Sequence, residues 1–168
     1  MLYAMYCQNR HRLAFIDPET GGLNDSLTHN LFPPRGMFEE PAKVPTFCAE
    51  CGTKGMSQCP SCKEFIAYDD SKVHHVPNYC TQYGQAFPWT ITTLQLANEY
   101  TDELDLSAED KLTLKNSILD LTRDTPKTEI AIGRFKRVYA KVAPAAGTML
   151  RGTIQAILTD YAKHKLGF

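Results

Sequence analysis

The stretch Phe47-Cys48-Ala49-Glu50-Cys51-Gly52-Thr53-Lys54-Gly55-Met56-Ser57-Gln58-Cys59-Pro60-Ser61-Cys62 decides the reading of this chain, because it holds two Cys-x-x-Cys pairs side by side. Each pair lets a tight turn aim two thiolates at one tetrahedral ion. Gly52, after the second cysteine of its pair, allows the backbone to turn and its amides to approach the sulfur. Cysteines are often small buried hydrophobes, but burial explains neither the spacing nor the neighbouring Gly and Pro. The expectation is a metal, zinc, at one or two ions per chain.

Working outward, Cys7-Gln8-Asn9-Arg10-His11 offers a thiolate and an imidazole close enough to share an ion, and Cys80 stands apart from any pair. Two ligand schemes follow. In the sequential scheme Cys7, His11, Cys48 and Cys51 hold one zinc, while Cys59, Cys62 and Cys80 hold a second with an incomplete shell. His74 and His75, which precede Cys80 in a Pro-containing loop, are then candidates for the missing ligand. In the rival scheme Cys48, Cys51, Cys59 and Cys62 share one zinc, leaving Cys7, His11 and Cys80 for a weak second site or none. Spacing alone does not separate the two.

The chain has 168 residues, a hydrophobic fraction of 43% and a formal net charge of -1. That size suits one domain or two small ones. No apolar run reaches membrane-spanning length, and the opening Met1–Cys7 has neither a basic start nor a signal-length apolar stretch. The expectation is a soluble, non-exported, cytoplasmic protein with no membrane association. Its six cysteines would then stay reduced, which favours metal over disulfides.

The two halves differ in character. Residues 1–89 carry all the cysteines and most of the prolines, with no sustained helical period. They predict short strands at Leu2–Cys7, Leu13–Ile16 and Glu64–Tyr68, a turn over Asp17–Gly22 and a loop over Leu31–Lys43. So few apolar residues per turn leave metal to supply the cross-links. Residues 90–168 predict four amphipathic helices. The first follows Pro88-Trp89 and carries Ile91, Leu94, Ala97 and Tyr100. The second is announced by Ser107-x-x-Asp110, a variant of the capping box. The third has Thr125 as N-cap and Pro126 at its first position, with Ala131, Phe135, Val138 and Val142 on one face. Ala143-Pro144-Ala145-Ala146-Gly147 ends it, and a last helix runs from Thr148 with Leu150, Ile154, Ile157, Leu158 and Tyr161. The expected class is α+β: a zinc-ribbon-like metal-binding region at 1–89 and an antiparallel bundle of about four helices at 90–168.

Taken in order, Cys-x-Asn-x-His near the start, Phe47-Cys48-x-x-Cys51-Gly52, Cys59-Pro60-x-Cys62, Tyr79-Cys80-x-x-x-Gly84-x-x-Phe87-Pro88-Trp89-Thr90 and Thr125-Pro126-x-Thr128-x-x-Ala131-x-x-Arg134-Phe135-Lys136 resemble an uncharacterised bacterial family, domain of unknown function 2321. The resemblance implies a zinc ribbon followed by helices, and no assigned activity. This chain departs from the pattern twice. Arg10 stands where the family has Gly before the histidine, which strains that turn. Tyr83 stands where the family has a second cysteine after Cys80, which removes a ligand.

The motifs of zinc catalysis are missing: there is no His-x-Glu with Pro-Cys-x-x-Cys and no His-Glu-x-x-His, nor is there a Gly-rich phosphate loop or Gly-x-Ser-x-Gly. A three-thiolate zinc with an open position keeps catalysis conceivable, but so much donated charge makes a poor Lewis acid. The sequence therefore favours a binding protein over an enzyme. Six acids and no Lys or Arg lie between Glu99 and Asp110, while 130–168 carries seven bases against Asp160 alone. Arg134, Arg137 and Lys141 could form a face for nucleic acid. The simpler reading is a solvated face that pairs with the acidic stretch, in keeping with the balanced net charge. A protein partner is the preferred expectation, with Phe38, Phe47, Phe87 and Trp89 as apolar contacts unless Phe87 and Trp89 are spent cementing the ribbon to the first helix.

Overall fold

Nearly every residue of Leu2–Cys7 is apolar, as suits a strand covered on both sides, and this strand (β1) is the centre of a small antiparallel sheet. The computed structural model describes residues 2–17, 19, 44–69 and 76–168. His74, His75, Phe38 and the expected loop over Leu31–Lys43 lie outside the described residues. Of the expected turn over Asp17–Gly22, only Asp17 and Glu19 are described; there the Glu19 N–H donates to Asp17 Oδ1 at 2.8 Å. The chain divides into two compact units, Met1–Trp89 and Thr90–Phe168.

In the first unit, β1 pairs along one edge with β2 (Arg12–Ile16), joined to it by the Cys7–His11 turn. Its other edge is shared. β3 (Gly55–Met56) pairs with Tyr6 and Cys7 at one end, and β4 (Ala67–Tyr68) with Leu2 and Tyr3 at the other. The expected strand over Glu64–Tyr68 is thus reduced to two residues plus an isolated pairing of Phe65 with Gln58. β3 was not anticipated, because two residues give no periodicity to read. Gly55 leaves room there: a Cβ would run into the ends of the Met5 and Leu13 side chains, which would have to shift. The core gathers Ala4, Tyr6, Ile66, Val76, Phe87 and Trp89 with Cys59 and Cys80. Phe87 and Trp89 stack at 4.7 Å, and the Trp89 indole N–H donates to Pro77 O at 2.8 Å.

Among the described residues the helices number five rather than about four: α1 (Pro88–Glu103), α2 (Ala108–Leu121), α3 (Thr128–Tyr139), α4 (Pro144–Ile154) and α5 (Asp160–Leu166). The class is α+β. α2 starts as its capping signal indicates, with Ser107 Oγ accepting the Asp110 N–H at 3.1 Å. α3 begins three residues after the expected N-cap Thr125. The Thr125 and Thr128 hydroxyls are bound up in a turn, Thr128 Oγ1 donating to Arg123 O at 2.7 Å.

Ala143-Pro144-Ala145-Ala146-Gly147 starts α4 instead of ending α3. Proline at the first helical position has no N–H to lose and a ring already set to helical φ. The expected last helix breaks after Ile154, because Thr159 caps a new one, accepting the Ala162 N–H at 3.2 Å. Gly167 closes α5 in the left-handed conformation at φ 73°. The apolar stripes of α2 and α3 meet through Leu114, Ile118, Leu121, Ala131, Phe135 and Val138. Leu150, Ile154, Leu158 and Ala162 complete that core. No helix is long and apolar enough to cross a membrane among the described residues.

Candidate metal centre

Three turns of the first unit share one backbone pattern. In each, the leading cysteine's N–H donates to the carbonyl five residues on, and the N–H four residues on donates back to the cysteine carbonyl. The bonds are Cys48 to Thr53 (2.9 Å) with Gly52 to Cys48 (2.8 Å), Cys59 to Glu64 (2.8 Å) with Lys63 to Cys59 (3.0 Å), and Cys80 to Gln85 (2.9 Å) with Gly84 to Cys80 (2.8 Å). The residue closing each turn is left-handed: Gly52 at φ 69°, Lys63 at 64° and Gly84 at 68°. Flanking pairs Phe47 with Lys54, Gln58 with Phe65 and Tyr79 with Ala86 clamp the three turns alike. Lys63 holds a conformation that costs a side-chain-bearing residue about 1 to 2 kcal/mol, and its Nζ donates to Pro60 O at 2.9 Å.

A fourth turn has its own geometry. Cys7 ends β1, its N–H donating to His11 O at 3.0 Å, and Arg10 takes φ 69°. The strain expected of Arg10 is present. Two hydrogen bonds from its guanidinium offset it, to Asn78 Oδ1 at 2.9 Å and Val76 O at 3.0 Å, and burial lowers its pKa to about 10.

These turns bring the donors into two groups: Cys7, His11, Cys48 and Cys51 in one, and Cys59, Cys62 and Cys80 in the other. Within each group the ligand atoms lie within 4.8 Å of one another. This grouping follows the sequential scheme; the four cysteines of the rival scheme are divided between the groups. In the first, Cys7 Sγ is 3.6 Å from Cys51 Sγ and Cys48 Sγ 3.4 Å from His11 Nδ1. In the second, Cys62 Sγ is 3.6 Å from Cys80 Sγ. A tetrahedral ion with bonds of about 2.3 Å to sulfur and 2.0 Å to nitrogen sets its donors about 3.5 to 3.8 Å apart, so both groups can each hold such an ion. All six cysteines are free.

Residues that the motifs did not single out support the donors. With His11 Nδ1 directed at the group, its Nε2 lies 3.3 Å from Glu50 Oε2, the carboxylate-to-imidazole arrangement that orients a ligating histidine. Glu50 sits between the two cysteines of its pair, but its reach to His11 depends on folding. Thr53 Oγ1 is 3.2 Å from Cys51 Sγ. Ser61 Oγ donates to Gln85 Oε1, tying the second cysteine turn to the third.

The same contacts set the protonation of the metal-free chain. The Thr53 hydroxyl and backbone N–H lower the Cys51 thiol to about 5, making it a thiolate at neutral pH. Contacts with the Cys51 and Cys48 sulfurs raise the His11 pKa. Burial works to raise Cys59, but the N–H groups of Cys62 and Ser61 and the neighbouring thiols bring it below the usual value. The Glu64 N–H works to lower Cys62, but burial and its neighbours Cys80 and Cys59 leave it raised. Each group thus holds one acidified thiol as a first foothold for a cation, and binding there displaces protons.

The other candidate faces fare differently. Arg134 and Arg137 are exposed on α3, but Lys141 lies past its end and pairs with Asp110 at 2.7 Å. Of the apolar set, Phe87 and Trp89 are buried in the first unit's core, and Phe47 is 61% exposed beside Cys48.

Comparison with curated proteins and with solved structures finds no match. A family model does match, over residues 35–166. That span takes in both Cys-x-x-Cys pairs, Cys80 and all five helices, and leaves Cys7 and His11 outside it. Since it covers most of the chain, the chain belongs to the family of uncharacterised proteins conserved in bacteria, domain of unknown function 2321.

Proposed function

We propose that this chain is an intracellular, cytoplasmic zinc protein whose first unit is a zinc ribbon, and that it acts as an interaction or adaptor module for another protein. The observation that carries the reading is the meeting of Cys7, His11, Cys48 and Cys51 from two hairpin turns 37 residues apart at their nearest ligands. Three thiolates and one imidazole fill a tetrahedron and leave no position for substrate, which is the character of a structural zinc. Thiolate-rich donor sets with tetrahedral spacing suit zinc over the harder cations.

The protein-partner reading is supported by Phe47, an aromatic side chain held in the open on a turn that metal would make rigid. The nucleic-acid alternative, through Arg134, Arg137 and Lys141, draws less support because Lys141 is engaged by Asp110.

Elemental analysis of the purified chain after dialysis is expected to give two zinc ions, and none would overturn the reading. Pull-down from the native host, followed by mass spectrometry, should then recover a protein that the Phe47→Ala variant fails to recover. Recovery of nucleic acid instead, lost steeply with added salt and on charge reversal at Arg134 and Arg137, would favour the alternative.

A further inference from the structure

A cleft of about 350 Å³ lies on the first unit beside β3. Lys54, which follows the first cysteine turn, and Lys63, which closes the second, both line it. Gln8 and Ser57 add polar groups, and Met56 and Pro60 give it an apolar wall. Among the described residues its lining holds these two lysines and no Asp or Glu. Its size is at the lower end of what small-molecule sites show. Two ammonium groups, an amide and a hydroxyl beside an apolar wall suit an anion that carries a hydrocarbon part.

Lys63 is marked out by a second, independent observation. The place that closes each cysteine turn in the left-handed conformation is held by Gly52 in the first and Gly84 in the third, but by Lys63 at φ 64° in the second. Glycine would take the same backbone without the cost of a Cβ. Arg10, also at positive φ, offsets its cost through hydrogen bonds to Asn78 and Val76, far along the chain. Lys63 Nζ donates instead to Pro60 O of its own turn, on the surface, where water competes for the bond. What that bond does is hold the ammonium group at the cleft wall. Strained backbone of this kind gathers at ligand clamps, where it sets a side chain that the ligand needs.

We propose that this cleft binds a carboxylate ligand, with Lys54 and Lys63 meeting its negative charge and Met56 and Pro60 covering its hydrocarbon part. Inorganic phosphate is compact and would leave the apolar wall uncovered. A free dicarboxylic acid and the acidic side chains of a peptide bring the same chemistry, and two probes separate them.

The test takes the isotope-labelled full chain with its metal as purified. It is titrated with glutarate, with the blocked peptide acetyl-Glu-Gly-Glu-amide and with inorganic phosphate, while the backbone amide signals of Gln8, Lys54, Ser57 and Lys63 are followed. They should move saturably with a carboxylate probe, and the tighter of the two names the source. Phosphate should bind about tenfold more weakly, having no methylene groups to bury. Lys54→Gln and Lys63→Gly should each weaken carboxylate binding about tenfold or more, as loss of a hydrogen bond to a charged group does. Lys63→Gly should nevertheless withstand urea at least as well as the parent at equal metal content, because glycine is the unstrained residue at this place.

No saturable movement with either carboxylate probe would overturn the inference and leave the proposed metal binding standing. Phosphate binding as tight as glutarate and the peptide would overturn the choice of carboxylate. Unchanged affinity in both lysine variants would overturn the placement in this cleft. A Lys63→Gly chain that is less stable than the parent yet binds alike would assign Lys63 to the turn alone and overturn its part in the site.

Discussion

Among the described residues of the second unit, thirteen buried side chains, eleven from the five helices together with Leu104 and Leu158 from the connections, form one apolar cluster. The corresponding cluster of the first unit has eight, and two of these, Cys59 and Cys80, belong to a donor group that could hold a metal ion. The helical unit has surface enough to bury that its order follows from the water it excludes, at roughly 1.5 to 3 kcal/mol for each large side chain. The ribbon-like unit rests on a β1 of six residues, a β2 of five and two further pairing strands of two residues each. Strands so short do not hold themselves in water. If the first unit holds metal as proposed, one chain combines order from packing with order from coordination, and the two should fail under different treatments.

The most severe way to break the comparison is to remove metal. Structural zinc contributes on the order of 10 kcal/mol or more in small zinc domains, more than the first unit's short strands can supply. A strong chelator should therefore collapse the dispersed amide signals of residues 2–17 and 44–69 in an NMR spectrum, while helical circular dichroism stays nearly unchanged. Persistence of the first unit's signals after verified metal removal would sink the idea that coordination holds it.

A milder and converse perturbation is Phe135→Ala. Phe135 is 1% exposed and its ring stacks on Tyr139 at 5.2 Å. Truncation should cost the helical unit about 3 to 5 kcal/mol, seen as a lower urea midpoint followed by helical circular dichroism, with the metal content unchanged. Loss of metal together with helix would show that the two sources of order are not separable.

The smallest expected effect concerns Asp110. The Lys141 ammonium, then the Ser107 hydroxyl, hold its carboxyl below the usual value. Because the folded pKa is the lower one, the stabilisation is complete above the usual carboxylate pKa and is lost as pH falls through the folded value. Lys141→Met should thus lower the urea midpoint of the helical unit slightly at neutral pH, and the difference from the parent should vanish in strong acid. A difference that persists there would assign the effect to the Lys141 stem packing.

Several features could be read along the chain because their cause is local. The Ser107 cap acts over three residues, Gly84 and Gly52 serve turns that close within five, and β1 announces itself by its apolar run. The boundaries that were misread also have local causes that compete with one another. Pro144 serves equally to stop one helix and start the next, and only the packing of Tyr139 over Gly147, its hydroxyl 2.7 Å from the Gly147 carbonyl, selects the second role. The break between α4 and α5 depends on Thr159, whose N–H donates to Leu121 O at 3.1 Å, far away in sequence. Glu50 could not be assigned to His11 for the same reason.

The sequence by itself determined the donor residues, the paired turns that present them and the division of character near Trp89, since each rests on residues within a few positions of one another. Which donors stand together was decided only by the tertiary structure. β1 brings Cys7 beside Gly55 in β3, and that antiparallel register delivers Cys48 and Cys51 to Cys7 and His11, leaving Cys59 and Cys62 to meet Cys80. Ligand spacing fixes what one turn can offer. Strand pairing across the chain fixes which turns meet.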